Sequence, residues 1–99
     1  VILAIEAMEN HIGDPLELGQ LAEVTEISPR QLNRLFRTKI GQSTMKFYCN
    51  LRLEKARKLL IQSPLSITEI ALANGFASSS HFAHSFRRMF GSTPSSLRR

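Results

Sequence analysis

The sequence predicts an all-α fold of seven helices, in which two similar units of short helix, turn and longer helix are joined by one long helix. Three observations carry this: apolar residues recur at helical spacing, no stretch alternates as a strand does, and the chain repeats itself. Shifted by 49 residues, PLELGQLAEVTEI (15–27) aligns with PLSITEIALANGF (64–76), so that Pro15 falls on Pro64, Leu16 on Leu65 and Ala22 on Ala71. After one inserted residue the shift becomes 50, and Leu32, Phe36, Arg37, Ile40 and Gly41 fall on Phe82, Phe86, Arg87, Phe90 and Gly91, with Ser43 on Thr93. So short a repeat, with its apolar positions in register, predicts two helix-turn-helix subdomains joined by a long linker helix.

Each helix has its own local signals. VILAIEAMENHIG places Val1, Ile5, Met8 and Ile12 on one stripe of a first helix. The chain opens inside that helix without an initiator methionine, and we expect it to be part of something longer. A short helix follows Pro15 and ends in the turn Thr25-Glu26-Ile27. Ser28 before Pro29 is a cap with proline at the first helical position, so the third helix runs from about Pro29 to Lys39 and Gly41 closes it. Residues 43–62 read as the linker helix, with Met45, Tyr48, Cys49, Arg52, Ala56, Leu59 and Leu60 along a stripe, and Pro64 stops it. Ser66-Ile67-Thr68-Glu69 is a capping box opening the fifth helix, which Gly75 ends. Ser78 caps the sixth, where Phe82, Phe86, Met89 and Phe90 form the buried side. A short helix from Pro94 packs Leu97 underneath. The expected organisation is therefore a first subdomain over 1–42, the linker over 43–62 and a second subdomain over 63–99.

A chain of 99 residues, 42% hydrophobic, suits one small domain or two very small ones sharing a helix. No run of about 18 apolar residues occurs and the start lacks the charged-then-apolar order of a secretory signal, so we expect a cytoplasmic protein without a membrane partner. The lone Cys49 supports neither a disulfide framework nor a zinc site and fits core or near-core filling.

Charge is unevenly spread. Residues 1–27 contain Glu6, Glu9, Asp14, Glu17, Glu23 and Glu26 and no Lys or Arg, whereas all 13 basic residues lie beyond, against only Glu54 and Glu69. A polyanion is the partner this implies, and nucleic acid the leading one. On the third helix, Arg30, Asn33, Arg34 and Arg37 share the outer face at i, i+3, i+4 and i+7. Arginine can grip guanine O6 and N7 with two donors, and asparagine can pair similarly with adenine. On the sixth, Ser79, Ser80, Ala83, His84 and Arg87 lie outward, with Arg34 matching His84 and Arg37 matching Arg87 across the repeat. Two such faces favour double-stranded DNA over a merely solvated surface. A linker of about twenty residues spans ~30 Å, close to the ~34 Å of one DNA turn, so the two reading helices (about 28–39 and 78–90) should enter successive major-groove segments.

The stretches ISPRQLNRLFRTKIG, RLEKARKLL and IALANGFASSSHFAHSFRRMFGSTPSSLR resemble the DNA-binding domain of AraC/XylS-type bacterial transcription regulators, over essentially the whole chain. The last stretch is the most specific, with its glycine-phenylalanine turn, serine cap, spaced phenylalanines and closing FG-TP. The resemblance implies two helix-turn-helix subdomains at the C-terminus of a longer chain whose N-terminal domain senses a ligand or dimerises. The GFASSSHF segment looks closest to members whose sensor resembles an amidotransferase-like domain. It implies base contacts by Arg30, Asn33, Arg34, Ser79, Ser80 and His84. Two departures stand out: His84 replaces a frequent arginine, and Glu26 sits where the family tends to glycine, at a cost of about 1 kcal/mol if a positive φ is needed. Leu97 replaces the family's usual aromatic.

Phosphate contacts are expected from Arg37, Lys46, Arg87 and Arg88, and from Gln31 and Ser78 at the helix starts. Ser43 and Thr93 are expected as helix caps whose neighbouring amides can also meet a phosphate. His81 stands between phosphate contact and packing, Arg52 is expected in a structural ion pair, and His11 is expected to be exposed and uninvolved. The rivals are a helical interaction module docking an acidic partner such as an RNA polymerase subunit, RNA binding, and an enzyme. The enzyme is disfavoured by the absence of a carboxylate pair, a nucleophile-base motif or a glycine-rich phosphate loop, and RNA binding by aromatics that all occupy core positions. No cofactor or metal is expected.

Overall fold

The structure, a computed structural model, describes residues 1–98. Among them run seven helices and no strand: α1 (Ile2–Asn10), α2 (Leu18–Thr25), α3 (Pro29–Lys39), α4 (Thr44–Gln62), α5 (Ile67–Ala73), α6 (Ser79–Phe90) and α7 (Pro94–Arg98). The all-helical class and the number of helices are as expected. Two compact units divide the chain, Val1–Cys49 and from Asn50 onward, and the boundary falls inside α4 rather than at either of its ends.

In the first unit α1 packs on α2 and α2 on α3. Its core is Ala4 and Met8 of α1, Leu21 and Ala22 of α2, Leu32 and Phe36 of α3, and Tyr48 of α4. Ala4 with Met8 and Leu32 with Phe36 are i, i+4 pairs that share one helix face, and Val1, Ile5 and Ile12 are half-buried. The Phe36 ring meets Phe47 at 5.5 Å between centroids. Tyr48 buries its ring but keeps its hydroxyl satisfied twice, accepting from Leu16 N at 3.0 Å and donating to the carbonyl of His11. His11 is therefore not uninvolved: it ends α1, gives its carbonyl to Tyr48, and brings its ring Nδ1 to 3.3 Å from Asp14 Oδ2. A backbone carbonyl carries no side-chain signal, which is why its type and spacing concealed this role.

The turn after α2 rests on Glu26, whose φ of 60° and ψ of 27° are left-handed. This is the conformation whose cost the sequence raised for a non-glycine residue. The corresponding place in the second unit is Gly75, at φ 83°. Both copies thus bend the chain in the same way, one with a side chain and one without.

In the second unit α5 packs on α6 and α6 on α7. Leu53, Ala56 and Leu60 of α4 are buried, as are Ile70, Ala71, Phe76, Phe82, Phe86 and Pro94. Phe76, Phe82, Phe86 and Phe90 form a ladder of rings with successive centroid distances of 5.2, 5.6 and 4.6 Å. The expected stripe of α4 needs correction: Met45 is 38% exposed, while Leu53, which the stripe omitted, is buried. Arg52 makes structural contacts with the turn after α5. Its guanidinium donates to the carbonyls of Gly75 at 2.9 Å and Asn74 at 3.4 Å and lies 4.6 Å above the Phe76 ring, so its structural role works through backbone and ring. Arg98 does similar work at the C-terminal end of α4, donating to Ser63 O at 3.0 Å, Leu60 O at 3.2 Å and the carbonyl of Leu65. Ser66 and Glu69 close the capping box in both directions, and the hydrogen bond from Ser66 N, then that from its hydroxyl, holds the Glu69 carboxyl below its ordinary range.

Tyr48→Phe should lower stability to urea by about 1–3 kcal/mol, because it strands one donor and one acceptor together, with faster amide exchange at Leu16. Glu26→Gly should raise stability by about 1 kcal/mol by relieving the left-handed conformation, measured by the same unfolding titration. The contribution of Glu69 should be complete above its ordinary pKa of 4.5 and be lost as pH falls through the lower folded value. Acid titration of α5 amide exchange should therefore lose a component in Ser66→Ala.

Candidate nucleic-acid interface

The first face is built on α3. Ser28 caps it, accepting from Gln31 N at 3.1 Å, and the Gln31 side chain returns the bond to Ser28 N at 3.3 Å. Sequence reading overlooked this capping box, although the S-x-x-Q spacing signals one. With Leu32 and Phe36 fixing the inner side, Arg30, Arg34 and Arg37 project from the outer side and are exposed. Among the described residues no carboxylate pairs with any of the three. Arg37 and Lys39 in the last turn also suit the negative end of the helix dipole. Asn33 stands apart from this row. It is half-buried, and its Oδ1 accepts from the backbone N of Thr44 at 3.0 Å.

The start of α4 belongs to the same unit. Ser43 caps it, accepting from Lys46 N at 3.3 Å, and the Lys46 side chain is exposed. The structural side of the expected double role of Ser43 is thus present.

The second face is built on α6. Ser78 accepts from His81 N at 3.1 Å, as its capping role requires. Phe82 and Phe86 turn fully inward, and Ser80, His84 and Arg87 share the outer side at i, i+4 and i+7. Ser79 is half-buried, whereas Ser80 is exposed. His81 is exposed, and its ring meets Phe76 in a T-shaped arrangement with centroids 5.7 Å apart, so the packing considered for it is present. Arg87 and Arg88 are exposed in the last turn. Thr93 caps α7, accepting from Ser96 N at 3.2 Å.

Each face therefore presents donors that are both positively charged and directional, on a helix held by a cap at its start and by aromatic or leucine anchors behind. Such a surface can meet phosphate oxygens and base-edge acceptors. Among the described residues no group of His, Cys, Asp or Glu is placed to hold a metal ion, and no helix is long and apolar enough to cross a membrane.

Residues 21–99 match a family model described as a helix-turn-helix domain. The transcriptional regulator GlxA of Rhizobium meliloti is 48% identical over all 99 residues, and CdhR of Pseudomonas aeruginosa is 43% identical over 95 residues, 96% of this chain. These alignments take in 31% and 28% of those regulators, so the chain spans about a third of their length. Among solved structures, a regulator with an AraC-type DNA-binding domain from Chromobacterium violaceum superposes with a TM-score of 0.94 at 41% identity, covering 98% of this chain and 87% of that one. The DNA-binding domain of AdpA, solved in complex with a target DNA, gives 0.89 at 28% identity, covering 96% and 86% respectively.

Proposed function

The chain belongs to the AraC-type helix-turn-helix family of transcriptional regulators, and from that membership we propose that it binds double-stranded DNA sequence-specifically, as the DNA-contacting part of a bacterial regulator. The observation that carries this reading is the row Arg30, Arg34, Arg37, exposed and without carboxylate partners among the described residues, on a capped helix whose other side buries Leu32 and Phe36. The AdpA domain, alike in fold along nearly the whole chain, has been solved on DNA, which supports the same use here. Its relatives are regulators of transcription rather than enzymes.

In this reading α3 and α6 enter successive major-groove segments. Arg34, with Arg30, reaches base edges from α3, and Ser80 and His84, with Ser79 at the flank, do so from α6. Arg37, Lys46, Arg87 and Arg88 meet phosphates, joined by Gln31 and Ser78 at the reading-helix starts, by Ser43 and Thr93 at the two following caps, and by His81. Phosphate contacts set register and carry no sequence information, whereas donors at base edges do. The remaining length of the full regulator holds a sensing or dimerising domain, RNA polymerase is a second partner, and the protein works in the cytoplasm at the nucleoid.

Selection from a random duplex pool at near-physiological salt should enrich two short blocks with centres ~10 base pairs apart. Arg34→Ala should cost ~1–3 kcal/mol and relax one base position, while Arg37→Ala should weaken all sequences alike and flatten the salt slope by ~1. Salt-sensitive binding without any enriched sequence would sink the proposal and leave a docking surface for an acidic protein.

A further inference from the structure

The bond between Asn33 and Thr44 singles out one residue of the first reading helix for a different job. Thr44 is the first helical residue of α4, and like every residue in a helix's first turn its N–H has no partner within the helix. Most such donors turn to water, but Thr44 is 0% exposed. Asn33 supplies the acceptor, at 3.0 Å across eleven residues of chain. An N–H only donates, so this contact fixes the orientation of the carboxamide with its oxygen toward α4.

Pairing with adenine would require the same carboxamide to present oxygen and nitrogen side by side to the base. Here the oxygen is turned onto a fully buried residue. The bond to Thr44 commits one lone pair of that oxygen and fixes the plane of the carboxamide, while the Nδ2 donors stay uncommitted.

The internal repeat provides an independent check. At the shift of 50, Asn33 corresponds to Ala83 and Thr44 to Pro94. Pro94 is the first residue of α7, is buried, and has no N–H to satisfy. Ala83 offers no acceptor. The unit whose following helix opens with an N–H has an acceptor on its reading helix, and the unit whose following helix opens with proline has none.

We propose that Asn33 is a positioning residue: it locks α3 to the opening of α4 and so fixes the placement of the base-reading Arg30 and Arg34 relative to the phosphate-holding Ser43 and Lys46. The proposal rests on the DNA-binding reading for its consequence, but the lock itself is a property of the folded first unit. Loosening it weakens binding to every sequence and leaves the preferred sequence unchanged, because no base contact is removed.

The test compares the 99-residue chain with Asn33→Ala and with the double variant Asn33→Ala/Thr44→Pro, which copies the arrangement of the second unit. Proline suits the first helical position, and the Thr44 hydroxyl it removes is buried without a hydrogen-bond partner. Asn33→Ala should lower the thermal midpoint by roughly 4–8 °C and weaken binding to a randomised duplex pool while enriching the same sequence. The double variant should recover both midpoint and affinity. Loss of preference at one base position in both variants would overturn the proposal in favour of a base contact. A single variant that melts like the parent, or a double variant that melts no higher than the single one, would overturn it as well. If the parent chain itself enriches no sequence, the DNA-binding reading has failed, and the melting comparison alone then supports or overturns the lock.

Discussion

Everything the two faces could do depends on seating a reading helix by one side only. A unit of about fifty residues buries too little apolar surface to hold a helix loosely and still hold it still. Each unit meets that constraint with an i, i+4 pair of 0% exposure, Leu32 with Phe36 in α3 and Phe82 with Phe86 in α6. A helix fixed along one stripe leaves the opposite stripe free to be as polar as its task requires. The arginines of α3 and the serine, histidine and arginine of α6 occupy that freedom. Their side chains contribute little to folding, so their chemistry can be set by what they meet outside.

Around these anchors the backbone is fastened by a few polar side chains that reach far along the chain. Tyr48 joins the end of α1 to the approach of α2, Arg52 holds the turn after α5, and Arg98 gathers carbonyls at the end of α4. Each satisfies backbone groups at a helix end or turn, where a helix cannot do so itself. A buried hydrogen bond left unmade costs more than a made one contributes. These three residues therefore act chiefly by preventing loss.

The division between what could be read from sequence and what could not follows from distance along the chain. Helix limits, the caps at Ser28, Ser66 and Ser78, and the repeat all depend on residues within four positions or on a regular shift, and each was legible. The left-handed turn at Glu26 was raised as a condition, because the resembling family tends to glycine at that place. The carbonyl partners of Arg52 were not legible, since nothing in its neighbourhood points to backbone oxygens 22 and 23 residues away. Met45 and Leu53 exchanged places in the expected stripe because the unit boundary falls inside α4, and one stripe drawn through the whole helix does not serve both units. For the faces, exposure agrees with spacing at Arg30, Arg34, Arg37, His84 and Arg87. At Asn33 spacing left the bond to Thr44 unseen, because a periodic pattern assigns a side chain to a face without saying what else it can reach.

The contrast between Asn33 with Thr44 and Ala83 with Pro94 also bears on how such a chain can change over generations. The two arrangements differ at two positions, and a lineage moving from the first to the second must pass through a mixed one. If proline comes first, the stranded group is the oxygen of an asparagine that is only half-buried. If alanine comes first, the stranded group is an N–H on a residue with no exposure, which water cannot reach. The two mutational orders are therefore unequal, and the passable route runs through proline. Homologous units caught in transit should hold asparagine with proline far more often than alanine with threonine.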